Sequence, residues 1–137
     1  MANPLPTDVR ELLERPNYVH LAYIRADGTP HSVPVWVGLE GDRITIGTGH
    51  DTLKARATRR NPAVALSLTD RENPYREANL TGRVVEQRPD EDCAVMDAIS
   101  RKYTGNPFPM RGPGRIAIVI EVDKAQYRQL PFVHKPA

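Results

Sequence analysis

YVHLAYIRADGTPHSVPVWVGLEGDRITIGT, residues 18–48, decides the fold. Tyr18 to Ile24 is apolar and aromatic enough for a buried strand. Asp27-Gly28, within Arg25-Ala26-Asp27-Gly28-Thr29-Pro30, signals a hairpin, because such a turn needs a backbone conformation that glycine adopts without strain. His31 to Leu39 reads as the return strand. Pro34 inside it cannot donate to a ladder, which points to an edge, a bulge or a position without a ladder bond. Glu40-Gly41-Asp42 is the next turn, and Ile44 and Ile46 alternate with polar neighbours through a third strand, Arg43 to Thr48. The links are far shorter than the dozen or more residues a parallel crossover needs, so these strands run antiparallel.

Thr7 is read as a helix N-cap, with Val9, Leu12 and Leu13 on one face and a stop before Pro16. After the third strand comes a short helix over residues 52–60, with Leu53 and Ala57 on one face and Arg56, Arg59 and Arg60 on another. Ala63 to Thr69 is a fourth strand. A longer one spans Tyr75 to Gln87, where Gly82 marks a bulge or a close backbone approach. Asp90 is read as the cap of a helix carrying Val95, Met96, Ile99 and Tyr103, which ends at Gly105. Residues 105–114 are a loop by composition, Ile116 to Val122 is the most hydrophobic strand, and Ala125 to Leu130 reads as one more. Six to seven antiparallel strands with a few helices outside make this a mainly β chain, a small barrel with peripheral helices. Gly47-Thr48-Gly49 lacks the third glycine and the βαβ frame of a dinucleotide fingerprint.

The chain has 137 residues, enough for one domain, 1–137, with a core of its own. Thirteen prolines and nine glycines favour turns and β structure over a helix bundle. A net charge of +2 is too small to imply nucleic acid or an anionic membrane, so electrostatic arguments rest on local clusters. Cys93 is the one cysteine, which excludes an intrachain disulfide and a multi-cysteine zinc site and points to a reducing, cytoplasmic setting. It is read as a small, partly buried helical residue. No apolar run approaches the ~20 residues of a membrane span. Met1 to Asp8 has no basic segment followed by an apolar one, so no signal peptide is expected. His20, His31, His50 and His134 are scattered, no pair has metal-ligand spacing, and no Gly-x-Ser-x-Gly elbow occurs. Chemistry carried by a bound cofactor remains.

Gly47 to Pro62 is where such a group would be held. A strand end, a turn and a short basic helix together offer free backbone N–H groups and the positive end of a helix dipole. Thr48 and Thr52 add hydroxyls, and Lys54 adds a full charge.

The order of elements resembles the split β-barrel (FMN-binding-like) of the pyridoxamine-5′-phosphate-oxidase-like flavoproteins, and most closely their flavin/deazaflavin oxidoreductase branch that uses coenzyme F420. The resemblance runs from about Leu12 to Arg128. It rests on Asp27-Gly28-Thr29-Pro30 followed by Pro34-Val35-Trp36, on Thr48 to Pro62 with Lys54 and Asn61-Pro62, on Pro74-Tyr75 and Gly82-Arg83-Val84, and on Arg101-Lys102-Tyr103-Thr104-Gly105. It implies a homodimer with the cofactor in a groove at the two-fold interface. The ring system would lie along Val33, Pro34, Val35 and Trp36, and the phosphate over Thr48, Thr52 and Lys54, with Arg56 or Arg60 assisting. It implies an F420-dependent reductase that passes hydride to an activated alkene, a quinone or a tetrapyrrole. FMN is the alternative cofactor, and a non-catalytic flavin- or F420-binding protein the alternative role. Two departures argue against pyridoxamine phosphate oxidation. Leu53 stands where the oxidase has an arginine before its lysine, and the oxidase's C-terminal tryptophan and arginine-rich signature is absent. No catalytic residue is singled out. His31, Tyr23, Tyr75 or solvent could supply the proton, and the loop with Phe108 and Met110 is expected to border the substrate pocket. Arg111 and Arg115 in that loop are read as surface charge.

Overall fold

A computed structural model describes residues 4–137; the first three, part of the stretch read as lacking a signal peptide, lie outside it. The elements in order are α1 (Thr7–Glu14), β1 (Val19–Ile24), β2 (Pro30–Val35), β3 (Gly38–Glu40), β4 (Arg43–Gly49), α2 (Leu53–Arg60), β5 (Ala63–Thr69), β6 (Arg76–Pro89), α3 (Ala94–Thr104) and β7 (Arg115–Gln129). All seven strands form one antiparallel sheet in the order β2-β1-β5-β6-β7-β4-β3. β2 and β3 lie at opposite ends of that order, yet only Trp36 and Val37 separate them. Three residue steps reach at most about 11 Å. The sheet must therefore curl until its two ends meet, which makes the barrel.

The inside of the curl is filled by Leu21 from β1, Ile44 and Ile46 from β4, and Ile118 and Ile120 from β7, with Val9, Leu12 and Leu13 of α1 sealing it. Among the described residues no helix is long and apolar enough to cross a membrane.

Several boundaries differ from the sequence reading, each for a local reason. Residues 31–39 are two strands, because the chain crosses from one edge of the sheet to the other at Trp36-Val37. Pro34 does lie on an edge strand. The two apolar runs at the C-terminal end are one strand, β7; Asp123 is the extra residue of a bulge opposite Thr81 and Gly82 rather than part of a break. Thr7 is the first helical residue, following Pro6 at the cap position. Asp90 caps α3 from three residues before its N-cap residue, Cys93, its two carboxylate oxygens accepting from Val95 N and Met96 N at 3.0 Å each. Cys93 is wholly buried and left-handed, at φ 59°. On α2 it is Ala55, Ala57 and Thr58 that turn inward, while Leu53 is 40% exposed.

Gly82 is the close approach its sequence position suggested. A Cβ there would lie 2.2 Å from the Glu121 carbonyl oxygen, in the ladder between β6 and β7. Gly82→Ala should therefore lower stability by about 1–3 kcal/mol, as overpacking against backbone does. Urea unfolding checks this: the midpoint should fall with the slope unchanged, and an unshifted midpoint would mean that the bulge yields freely.

Candidate functional site: a groove at the crossing of the sheet edges

The crossing at Trp36 opens a groove of about 590 Å³. Pro34, Val35 and Trp36 form one wall, Ile46 and Gly47 of β4 and Met96 of α3 another; Tyr18, Lys54, Phe108 and Met110 complete it. Gly47 gives α3 room: a Cβ there would run into the Met96 side chain, which would have to move aside for α3 to stay close to β4.

Trp36 is held by a stack. Its ring lies 5.1 Å from that of Tyr103 at an angle of 9°, and Tyr18 stacks on Tyr103 at 6.3 Å and 29°. The Tyr103 hydroxyl donates to Asn17 O at 2.6 Å and accepts from Val37 N at 3.2 Å, which ties the crossing segment to α3. Burial raises the pKa of that phenol. Next to it, Lys102 Nζ lies 4.9 Å from the Tyr103 ring centroid and donates to Leu13 O at 2.8 Å.

The loop over the groove is pinned through Asp97. One of its carboxylate oxygens accepts from Phe108 N at 2.9 Å and from Arg111 Nη1 at 2.8 Å. These bonds, the arginine's first, hold the Asp97 carboxyl below its ordinary pKa. Phe108 and Met110 border the groove. Arg111 is committed to Asp97, whereas Arg115, read from sequence as surface charge, lies with its guanidinium carbon 4.9 Å from the Phe108 ring centroid.

Pro34, Val35, Trp36 and Lys54 meet in the groove, and Val33 packs against the main core instead. Thr48 is buried, and its hydroxyl lies 3.0 Å from that of Thr52. The Thr52 hydroxyl donates to Gly49 O at 3.0 Å and accepts from Ala55 N at 3.4 Å, capping α2. A hydroxyl has one proton, so this pair is occupied in building the turn. Lys54 is half-buried; burial first, and then the positive charge of Arg115, lower its pKa. Arg56 and Arg60 are exposed, and at about 100° per residue they stand about 160° and 120° around α2 from Lys54. Arg56 Nε donates to Asp51 O at 3.1 Å. None of the three proton candidates lines the groove. Tyr23 is buried against His31, with ring centroids 5.3 Å apart, His31 bonds Arg25, and Tyr75 packs on Phe132.

Sequence reading missed Met96 in the lining and Tyr103 behind Trp36. Tyr103 and Met96 were legible as helical apolar positions but not as part of the site, since that depends on α3 packing over β4. Chemically the groove suits a flat apolar body with an anionic end near Lys54.

Lys102 gives this region a pH dependence. Burial pushes its pKa down to about 8, opposed in part by Glu14. The unfolded lysine titrates near 10.4, so between these values the unfolded chain binds more protons. Stability should rise as pH goes from about 8 toward 10, and Lys102→Met should lose that rise. Thermal melts of both proteins across the window check it; parallel curves would refute it.

The family model for pyridoxamine 5′-phosphate oxidase matches residues 5–129. Among solved structures, an F420 reductase is 32% identical, with a TM-score of 0.80 over 89% of this chain and 98% of its own. A conserved hypothetical protein from Mycobacterium tuberculosis is 20% identical, with a TM-score of 0.78 over 99% of this chain and 94% of its own. General Stress Protein 26 from Bacillus anthracis is 17% identical, with a TM-score of 0.68 over 88% and 91%. At their identities the last two speak for the fold alone. No curated protein matches. The family match spans nearly all of the seven-stranded sheet and the elements that build the groove, so the chain belongs to the pyridoxamine 5′-phosphate oxidase family, with its split β-barrel fold.

Proposed function

We propose that the chain is a cytoplasmic, homodimeric oxidoreductase that uses coenzyme F420 to reduce a small organic acceptor such as an activated alkene, a quinone or a tetrapyrrole. The observation that carries this reading is the groove itself: aromatic and apolar side chains along its length, with the half-buried Lys54 in its wall. Such a lining fits a conjugated ring system joined to an anionic tail. The 32% identical F420 reductase supports F420 over FMN. So does Leu53, an apolar residue just before Lys54.

When bound in its reduced form, the deazaflavin supplies the hydride. The protein's part is position and shelter. Pro34, Val35 and Trp36 form a wall that the Tyr103 stack keeps rigid. Phe108 and Met110, on the loop pinned by Asp97, limit water on the opposite side. Thr48 and Thr52 fix the turn at the start of α2, and Lys54 offers a cation to the tail. Arg56 and Arg60 face elsewhere and are free to meet more distant charges of a polyglutamate chain.

Trp36 is the only tryptophan and lines the groove, so its fluorescence reports binding there. Titration with F420 and with FMN should give micromolar or tighter binding of F420 and much weaker binding of FMN. Lys54→Ala should weaken F420 by about tenfold or more, the loss of one charged hydrogen bond, with little change in melting. Preference for FMN would reassign the cofactor, and an unchanged affinity would remove Lys54 from the site.

The homodimer is part of the same proposal. Across β1, β5, β6 and β7 runs a depression of about 890 Å³, with Ala22, Ala65, Ser67 and Thr81 beside the larger Leu66, Leu80 and Val122, a surface we assign to a second copy. Light scattering should give twice the 15.3 kDa chain mass; a monomer that binds cofactor fully would contradict it.

A further inference from the structure

A reduction of the proposed kind needs a proton as well as a hydride, and the lining of the groove limits where the proton comes from. Among the described residues that lining offers one hydroxyl, that of Tyr18, and one ammonium, that of Lys54. The Trp36 indole N–H donates hydrogen bonds without giving up its proton. Lys54 attracts an anionic group only while it keeps its proton. Tyr23, His31 and Tyr75 lie outside the groove.

Tyr18 stands just ahead of β1 and is held at its backbone and at its ring. The preceding residue, Asn17, is buried. Its side chain donates to Leu12 O at 2.9 Å and accepts from Arg71 N at 2.9 Å, and its carbonyl takes the Tyr103 hydroxyl. The Tyr18 ring stacks on Tyr103, and the Arg71 guanidinium carbon lies 5.2 Å from its centroid. These contacts leave the hydroxyl out. Among the described residues it has no hydrogen-bond partner, and Tyr18 is 51% exposed. The Tyr103 hydroxyl, in contrast, is engaged with both Asn17 and Val37. A phenol that is fixed at its ring, open at its oxygen and in reach of water can give a proton to a bound molecule and recover it from solvent.

We propose that Tyr18 is the proton donor to the acceptor bound in the groove, and so a catalytic residue of the reduction. The proposal rests on the reductase reading above and holds for either cofactor, F420 or FMN. With an α,β-unsaturated ketone as acceptor, the hydride from the reduced cofactor makes the new C–H bond at the β-carbon. The C=C electron pair moves into an enolate, whose α-carbon takes the proton of the Tyr18 O–H. The phenolate left behind regains a proton from water. The ketone gains two electrons and the cofactor loses two. Arg71 places a positive charge beside the ring on which the negative charge is left.

The test uses cyclohexenone, with reduced F420 and, separately, with reduced FMN. Tyr18→Phe keeps the ring that Tyr103 and Arg71 hold, so its melting and its cofactor binding, read by Trp36 fluorescence, should match wild type. Its kcat should fall about a hundredfold with KM within about twofold, the pattern of a lost general acid. A second readout needs neither turnover nor a variant. In the wild-type protein the Tyr18 Cζ resonance should move when cyclohexenone is added, with or without oxidised cofactor, because that carbon reports the hydrogen bond made by its oxygen. A resonance that stays put in both states, an unchanged kcat in Tyr18→Phe, or a raised KM at unchanged kcat would each overturn the proton donor. Full wild-type turnover that Tyr18→Phe matches defeats the proton donor alone. No wild-type turnover of cyclohexenone or menadione with either cofactor defeats the reductase reading, and the proton step with it.

Discussion

Two residues, Trp36 and Val37, must join the two ends of a seven-stranded sheet. Everything else in the molecule answers to that tether. It forces the sheet to curl, and the curl creates an inside large enough for a core built from β1, β4, β7 and α1. It also puts the end of β2 next to the middle of β4, two segments that the hydrogen-bond ladder alone would keep at opposite margins. The groove is therefore a by-product of closure, and its walls are as rigid as the closure itself.

That rigidity is reinforced at the tether. Val37 is buried, its N–H bonds the Tyr103 hydroxyl, and the same hydroxyl donates to Asn17 O just before β1. One tyrosine on α3 thus ties together the segment before the first strand and the segment between the second and third. Gly47 and Gly38 serve the same helix by leaving room for Met96 and Ile99. A second, smaller apolar cluster around Cys93, Met96 and Ile99, with Trp36, Tyr103 and Phe108 against it, is what binds α3 and the groove to the barrel.

Local signals were readable where they are local in origin. The Asp27-Gly28 turn, the basic helix stopped before Pro62, the bulge at Gly82 and the loop after Gly105 all depend on residues a few positions apart. The edge crossing was not readable, because the two residues that make it, Trp36 and Val37, are both strand-favouring and carry no turn signal of their own. For the same reason residues 31–39 looked like one strand. Of the residues lining the groove, Pro34, Val35, Trp36 and Lys54 are among the candidates named from sequence, whereas Met96 is not. The place of Met96 follows from the packing of α3 over β4, a contact between segments far apart in the chain that no short motif encodes.

The sheet still has two outer strands, and both are poor templates for a further strand. β2 carries Pro30 and Pro34, each without an N–H to donate, and β3 is only three residues long. Strand-by-strand growth from either margin is thereby discouraged, which protects a β-rich chain of this size from amyloid-like stacking. Contacts through side chains on the faces of the sheet are not restricted in this way, and surface substitutions there can alter them while leaving the barrel intact.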